Sequence, residues 1–337
     1  MQPSPWHPPS QLKEQRYLTR QELDAVSPDN PLFVQTVGHF AMANTRALAL
    51  AGIGRDTKDP VGGKIFRDAN GDATGVLEET AIELVEARLP TPSFEERVAQ
   101  TIAAQRIYNR SGITSTIDAA VDEEQIRAYF TAAERKQASV RTGTMWRPFA
   151  ASAAEFEALL KAAKYKDNSG NDWVRTAGIK MVADGGMTLK SAYIRDAYAD
   201  DPHNHGTLAT DPEVYKQNVR LAHKYGWRVG THVVGDAAVD LALDAYETAD
   251  RERSLSGERF VLIHASLIRP EQVLRAKKLG VRIDAQNIFM WDKAATVERY
   301  MGRRLADRAV PTRLMLDTLG YEGTAPGTAH PVNALNP

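Results

Sequence analysis

The stretch TAGIKMVADGGM, residues 176–187, places Lys180 inside an apolar run and follows it with Asp184 and the pair Gly185-Gly186. Its length and apolar character are those of a buried strand. An uncompensated buried ammonium costs several kcal/mol, so a strand that keeps one needs partners for it. Two later runs repeat the pattern. VGTHVVGD (229–236) carries His232 and then Asp236, and FVLIHAS (260–266) carries His264. Three successive strand-like runs thus end in a group that can ligate metal or move a proton.

Working outward from these runs, strand and helix periods alternate. FEERVAQTIAAQRIYNRSG (94–112), DEEQIRAYFTAAERKQ (122–137), SAAEFEALLKAAKYK (152–166) and DPEVYKQNVRLAHKYG (211–226) read as helices, the last with Asp211 or Thr210 as its cap. DAAVDLALDAYETADRE (236–252) and RPEQVLRAKKLG (269–280) continue the series, with further helical sequence to LMLDTLG (314–320). Between them lie six strands in ITSTID (113–118), VRTGTMWRPF (140–149), VRTAGIKMVAD (174–184), WRVGTHVV (227–234), RFVLIHAS (259–266) and VRIDAQN (281–287). A short seventh strand is expected near GTAHPVN (327–333). Such alternation predicts an α/β protein with a parallel sheet and helices outside. A doubly wound sheet and a (β/α)8 TIM-type barrel both fit; no glycine-rich phosphate loop follows a strand, so the barrel is preferred.

Residues 1–94 break this rhythm. Short strands and helices with turns at Gly62-Gly63 and Asn70-Gly71 predict a separate insertion or cap subdomain over the active site, with residues 95–337 as the barrel domain.

Bulk properties narrow the function. The 337 residues are 43% hydrophobic and 25% charged with a formal net charge of −1, so neither nucleic acid nor an anionic membrane surface is an expected partner. No apolar run approaches the ~20 residues of a membrane span. MQPSPWHPPSQLKEQRYLTRQELD (1–24) lacks the basic-then-apolar pattern of a signal peptide and reads like the inside of a domain; a cytoplasmic protein is expected. There is no cysteine, so a metal must be held by His, carboxylate or a modified side chain.

Loops at the C-terminal ends of barrel strands build active sites, which puts Lys180, His232 and His264 at one rim. Neutral imidazoles suit Zn²⁺ or a similar divalent ion. A lysine carboxylated by CO₂ presents an oxyanion that can bridge two ions, and metal-bound water becomes hydroxide near neutral pH and attacks a polarised carbonyl. A Schiff base on Lys180 is the other use of a barrel lysine. His39 in GHFAMAN and Glu78 in GVLEE are candidate substrate contacts, with surface charge as the alternative. Asp184 and Asp236 either orient ligands or cap turns. His203 and His205 look like a solvated turn, and His223 like a structural helix residue.

VGHFAMANTRALALAGI, GGKIFRDANGDATGVLEETA, GITSTIDAA, GIKMVADGG, THVVGDAAVDLALDAYE, FVLIHASLIRPE and LGVRIDAQN occur in the order seen in the amidohydrolase superfamily. They resemble its family 3, the N-substituted formamide deformylase-like branch, over almost the whole chain. The resemblance implies the TIM barrel of the metal-dependent hydrolases, a small-molecule substrate, and hydrolysis of carbon–nitrogen bonds other than peptide bonds with one or two divalent ions, zinc expected. By it, Lys180 matches the carboxylated metal-bridging lysine, and His232 and His264 match metal ligands. Two elements depart. The His-x-His pair of the first barrel strand has no counterpart, WHPP offering only His7, and Ala329 stands where Gly-Ser/Thr-Asp-x-Pro has its aspartate, with His330 next to it. The resemblance therefore implies a partial sequence lacking the first strand and the β-sandwich domain, its open edge covered by another segment or by the partner of a homodimer. A catalytically impaired, ligand-binding relative is the alternative to an active enzyme.

Overall fold

The computed structural model describes residues 8–36, 39–60 and 62–329. His7, His330 and the stretch 330–333 lie outside the described residues. The chain divides into two compact units: of the described residues, 8–91 and 328–329 fall in one, and 92–327 in the other.

In the first unit a four-stranded antiparallel sheet comprises β1 (Phe33–Thr36), β2 (Phe40–Ala43), β3 (Gly63–Arg67) and β4 (Ala73–Glu79), in the order β1-β2-β4-β3. The expected turn at Asn70-Gly71 joins β3 to β4. There Asp68 accepts the N–H groups of Asn70 and Asp72 in an Asx-type turn, and Gly71 takes φ +85, a conformation open to glycine. Ala41, Ile65, Leu77 and Val85 are buried in its own core.

The second unit carries seven parallel strands, β5 (Ser115–Val121), β6 (Arg141–Trp146), β7 (Val174–Val182), β8 (Val229–Val233), β9 (Val261–His264), β10 (Arg282–Ala285) and β11 (Thr324–Pro326). They neighbour one another in chain order, forming a curled half-barrel sheet whose edges, among the described residues, are β5 and β11. Each of the six strand-like runs holds one strand, and the seventh lies just upstream of its expected place. Chain-order neighbours joined by helices are the βαβ arrangement that the alternation predicted.

Local chemistry sets the helix starts. Ser93 and Glu96 form a reciprocal capping box on the helix Phe94–Arg110. Asp122 caps Glu123–Glu134, Ser152 caps Ala153–Ala162, and Asp211 ahead of Pro212 caps Pro212–Lys224. The sheet's two faces differ sharply. Thr231 on β8 points at the helices, where its hydroxyl meets Tyr215 Oη at 2.8 Å and Tyr246 Oη at 2.7 Å. Ile179, Val229, Leu262 and Ile283 are buried in that sheet–helix core. The alternate residues, Lys180 and His232 among them, point to the opposite face. Among the described residues, no helix is long and apolar enough to cross a membrane.

Candidate metal centre at the strand ends

Ladder register assembles the site. Lys180 pairs with Gly230, so Val182 pairs with His232, and Lys180 and His232 share one face of adjacent strands. His232 pairs with Ile263, and Ile263 with Asp284 on β10, which brings a carboxylate to the same face one strand further on. A Cβ at Gly230 would lie 2.4 Å from Met145 Cε, the flexible end of a side chain that reaches this face.

His264 obeys a different rule. It pairs with Val233, so a regular ladder would turn its ring toward the helices, away from His232. Its backbone is left-handed instead, with φ +76 at His264 and +45 at Ala265. For non-glycine residues each such conformation costs roughly 1–3 kcal/mol and persists only where the surroundings enforce it. Here the N–H groups of Ala265 and Leu267 donate to the carbonyls of Val233 (2.7 Å) and Val234 (3.0 Å). The result is that the His232 and His264 rings meet edge to face, with centroids 4.7 Å apart. His264 Nδ1 makes a short hydrogen bond to Gln286 Oε1. Because an amide oxygen only accepts, the proton sits on Nδ1, which makes Nε2 the nitrogen of this ring suited to ligation. His232 Nε2 lies 3.3 Å from the Gly185 carbonyl.

Lys180 is 9% exposed. Burial, reinforced by the Arg147 cation and opposed by Asp284, pulls its amine down to about 7. Burial also pushes Asp284 up to about 6 against the pull of Lys180. Lys180 and Asp284 thus lie on the sheet face that carries His232, each shifted toward neutrality by burial. Among the described residues, no three His, Asp or Glu side chains converge closely enough to hold an ion. The donor set fits a metal only if Lys180 supplies an oxyanion.

The other expected site residues are held by partners of their own. Asp184 is fully buried and accepts N–H bonds from Tyr193 (2.9 Å), Val234 (2.9 Å) and Gly235 (2.8 Å), tying the loop after β7 to the end of β8. Asp236 is 1% exposed. Burial alone would raise its carboxyl, but the Arg195 N–H at 3.0 Å and the guanidinium groups of Arg269 and Arg308 hold it below the usual range. Both carboxylates shape loops. His39 and Glu78 belong to the first unit; His39 Nδ1 pairs with Glu79 at 2.8 Å, and burial raises the carboxyl of Glu78. His203 and His205 are exposed in their loop, and His223 is buried against Arg253. Asp284 and Gln286 were missed by the sequence analysis. A carboxylate in the apolar run VRIDAQN is the same signal as a lysine in TAGIKMVAD.

Comparison with known proteins decides the family. The profile of the amidohydrolase family matches residues 4–318. The chain belongs to the amidohydrolase family. It is 30% identical, over 94% of its length, to the protein LONG AFTER FAR-RED 3 of Arabidopsis thaliana, and 28% identical, over 91%, to the N-substituted formamide deformylase of Arthrobacter pascens. This amidohydrolase-family chain spans 55% and 57% of the length of those two relatives. Its fold is that of the metal-dependent hydrolases. An uncharacterized metal-dependent hydrolase from Pyrococcus horikoshii OT3 superimposes with a TM-score of 0.73 at 24% identity, covering 95% of this chain and 61% of that one. A second, from Pyrococcus furiosus, gives 0.71 at 23% identity, covering 95% and 63%.

Proposed function

We propose that this chain is the catalytic core of a metal-dependent hydrolase of carbon–nitrogen bonds other than peptide bonds, acting on an amide- or formamide-like small molecule. The observation that carries this reading is a buried lysine, its amine pulled down to about 7, on the same sheet face as His232, whose ring meets that of His264 on the next strand. A neutral amine is the form that adds CO₂, with loss of a proton, and the carbamate so formed would supply a third ligand beside His232 and His264. A divalent ion, zinc foremost, when bound polarises a carbonyl and lowers the pKa of water to ≈ 7.

The chain's own residues do the rest. Gln286 fixes the His264 tautomer and His232 rests against the Gly185 carbonyl. Asp284, held near 6, is the carboxylate fitted to take up and release a proton at working pH. It lies beside Gly327, where a Cβ would come within 2.8 Å of its Oδ1. That role matters because Ala329 occupies the place of the family-like aspartate. The substrate class follows the formamide deformylase relative.

The test is metal analysis of protein purified with zinc and bicarbonate, with hydrolysis assayed on a panel of N-substituted formamides and amides. One to two ions per chain and activity lost in Lys180→Ala are expected. Less than about 0.1 ion per chain, with no hydrolysis on adding Zn²⁺ or Mn²⁺, would sink the reading. Ala329 favours one rival, a catalytically impaired relative that only binds its ligand. Full metal loading without turnover on any member of the panel would point there.

A further inference from the structure

At the opposite ends of the same strands lies a cavity of about 410 Å³. Its lining reaches Ala177 on β7, three residues short of Lys180, which is roughly 10 Å of strand. Four arginines are among the residues that line it: Arg141 at the start of β6, Arg175 near the start of β7, Arg228 just before β8 and Arg259 before β9. One carboxylate, Asp172, faces them in the lining.

Most of this positive charge has no counterpart. Arg228 is the best anchored: its side chain is 18% exposed and its Nε donates to both oxygens of Asp167, at 3.1 and 3.0 Å. Its terminal nitrogens have no acceptor among the described residues. Arg175 donates only to the Asn168 carbonyl, at 3.2 Å, and Arg141 and Arg259 make no side-chain hydrogen bond or ion pair among the described residues. The fold makes room for this arrangement. Gly178 sits at φ +121, and a Cβ there would lie 2.5 Å from Arg228 Cγ and 2.8 Å from the Arg228 carbonyl, so Arg228 can lie across β7 only over a glycine. Apolar surface adjoins the cations, with Trp173 42% and Ile117 62% exposed on the same walls. Guanidinium forks match the oxygens of phosphate, and an exposed indole offers a face to an organic group.

We propose that this cavity binds a small organic phosphate, with its dianionic group among Arg141, Arg228 and Arg259 and its carbon skeleton against Trp173 and Ile117. The site is independent of the metal centre, since it shares no residue with it. Arg141, Arg175 and Arg259 are exposed and so remain open to an anion from solvent, while Arg228 is fixed by Asp167.

The experiment is isothermal titration of the full chain at low salt with inorganic phosphate, phenyl phosphate and malonate. Saturable one-to-one binding is expected, with phenyl phosphate tighter than inorganic phosphate. The double variant Arg141→Gln/Arg259→Gln should weaken phosphate at least about tenfold while its melting temperature stays unchanged. Trp173→Ala should erase the advantage of the phenyl group and leave inorganic phosphate as before. Should the double variant not fold, Arg259→Gln alone serves for the same comparison. No saturable heat up to about 10 mM ligand, unchanged affinity in the charge variants, or malonate bound as tightly as phosphate would each overturn the proposal.

Discussion

Replacing Lys180 with methionine should make the protein relatively more stable, by an amount that depends on pH. Lys180 is buried, and its amine falls from an ordinary 10.5 to about 7. At about 1.4 kcal/mol per pH unit, that fall represents a cost on the order of 5 kcal/mol whenever both folded and unfolded chains hold the proton, below pH 7. Between pH 7 and 10.5 the unfolded chain still binds a proton that the folded chain has released, so the native protein gains stability as pH rises. Methionine has no proton to lose, so Lys180→Met should show no such gain. The two proteins, compared in an Asp284→Asn background to remove the neighbouring titration, should therefore converge in unfolding free energy by about 3 kcal/mol between pH 7 and 9. Urea unfolding followed by tryptophan fluorescence in CO₂-free buffer reads this directly. Parallel pH dependences for the two proteins would refute the picture of a desolvated amine.

Asp284 should show the opposite slope. Its carboxyl, raised from 3.8 to about 6, holds a proton in the folded chain that the unfolded chain has lost, so stability falls as pH rises from 4 to 6. Asp284→Asn should flatten that segment of the melting profile by about 3 kcal/mol, and an unchanged profile would mean the carboxylate is solvated. Gly178→Ala should cost about 2–4 kcal/mol, because the added Cβ meets Arg228 in a left-handed backbone; a loss under about 0.5 kcal/mol in a urea titration would show that Arg228 is free to move. Gln286→Leu removes the acceptor that fixes the His264 tautomer and should weaken zinc affinity by roughly 10–100-fold in a chelator competition, whereas an unaltered affinity would leave Gln286 without a role at the metal.

How much of this was visible beforehand depends on range. The strands and helices of residues 94–320 follow from local periodicity and caps, and Asp211 and Gly112 mark boundaries through chemistry that acts within a turn. Lys180 and His232 were legible because a parallel ladder with equal two-residue spacing puts them on one face. His264 joined them in expectation for an incomplete reason: simple alternation would have turned it away, and only the left-handed backbone at His264 and Ala265 brings its ring across. No pattern in FVLIHAS announces that bend. The loop-holding duty of Asp184 was equally hidden, since its three donors come from residues up to 51 positions away. Asp284 was in plain view and was passed over. The arginine-lined cavity could not be anticipated, because it exists only once strand register gathers four separated arginines at one mouth.

The most direct test is a crystal structure of the chain grown with zinc and bicarbonate, with data collected at the zinc absorption edge. A central anomalous peak should lie within ligand distance of His232, of His264 and of a carboxylated Lys180 side chain. Anomalous density confined to other parts of the molecule, with Lys180 seen as a bare amine turned away from both imidazoles, would contradict the account.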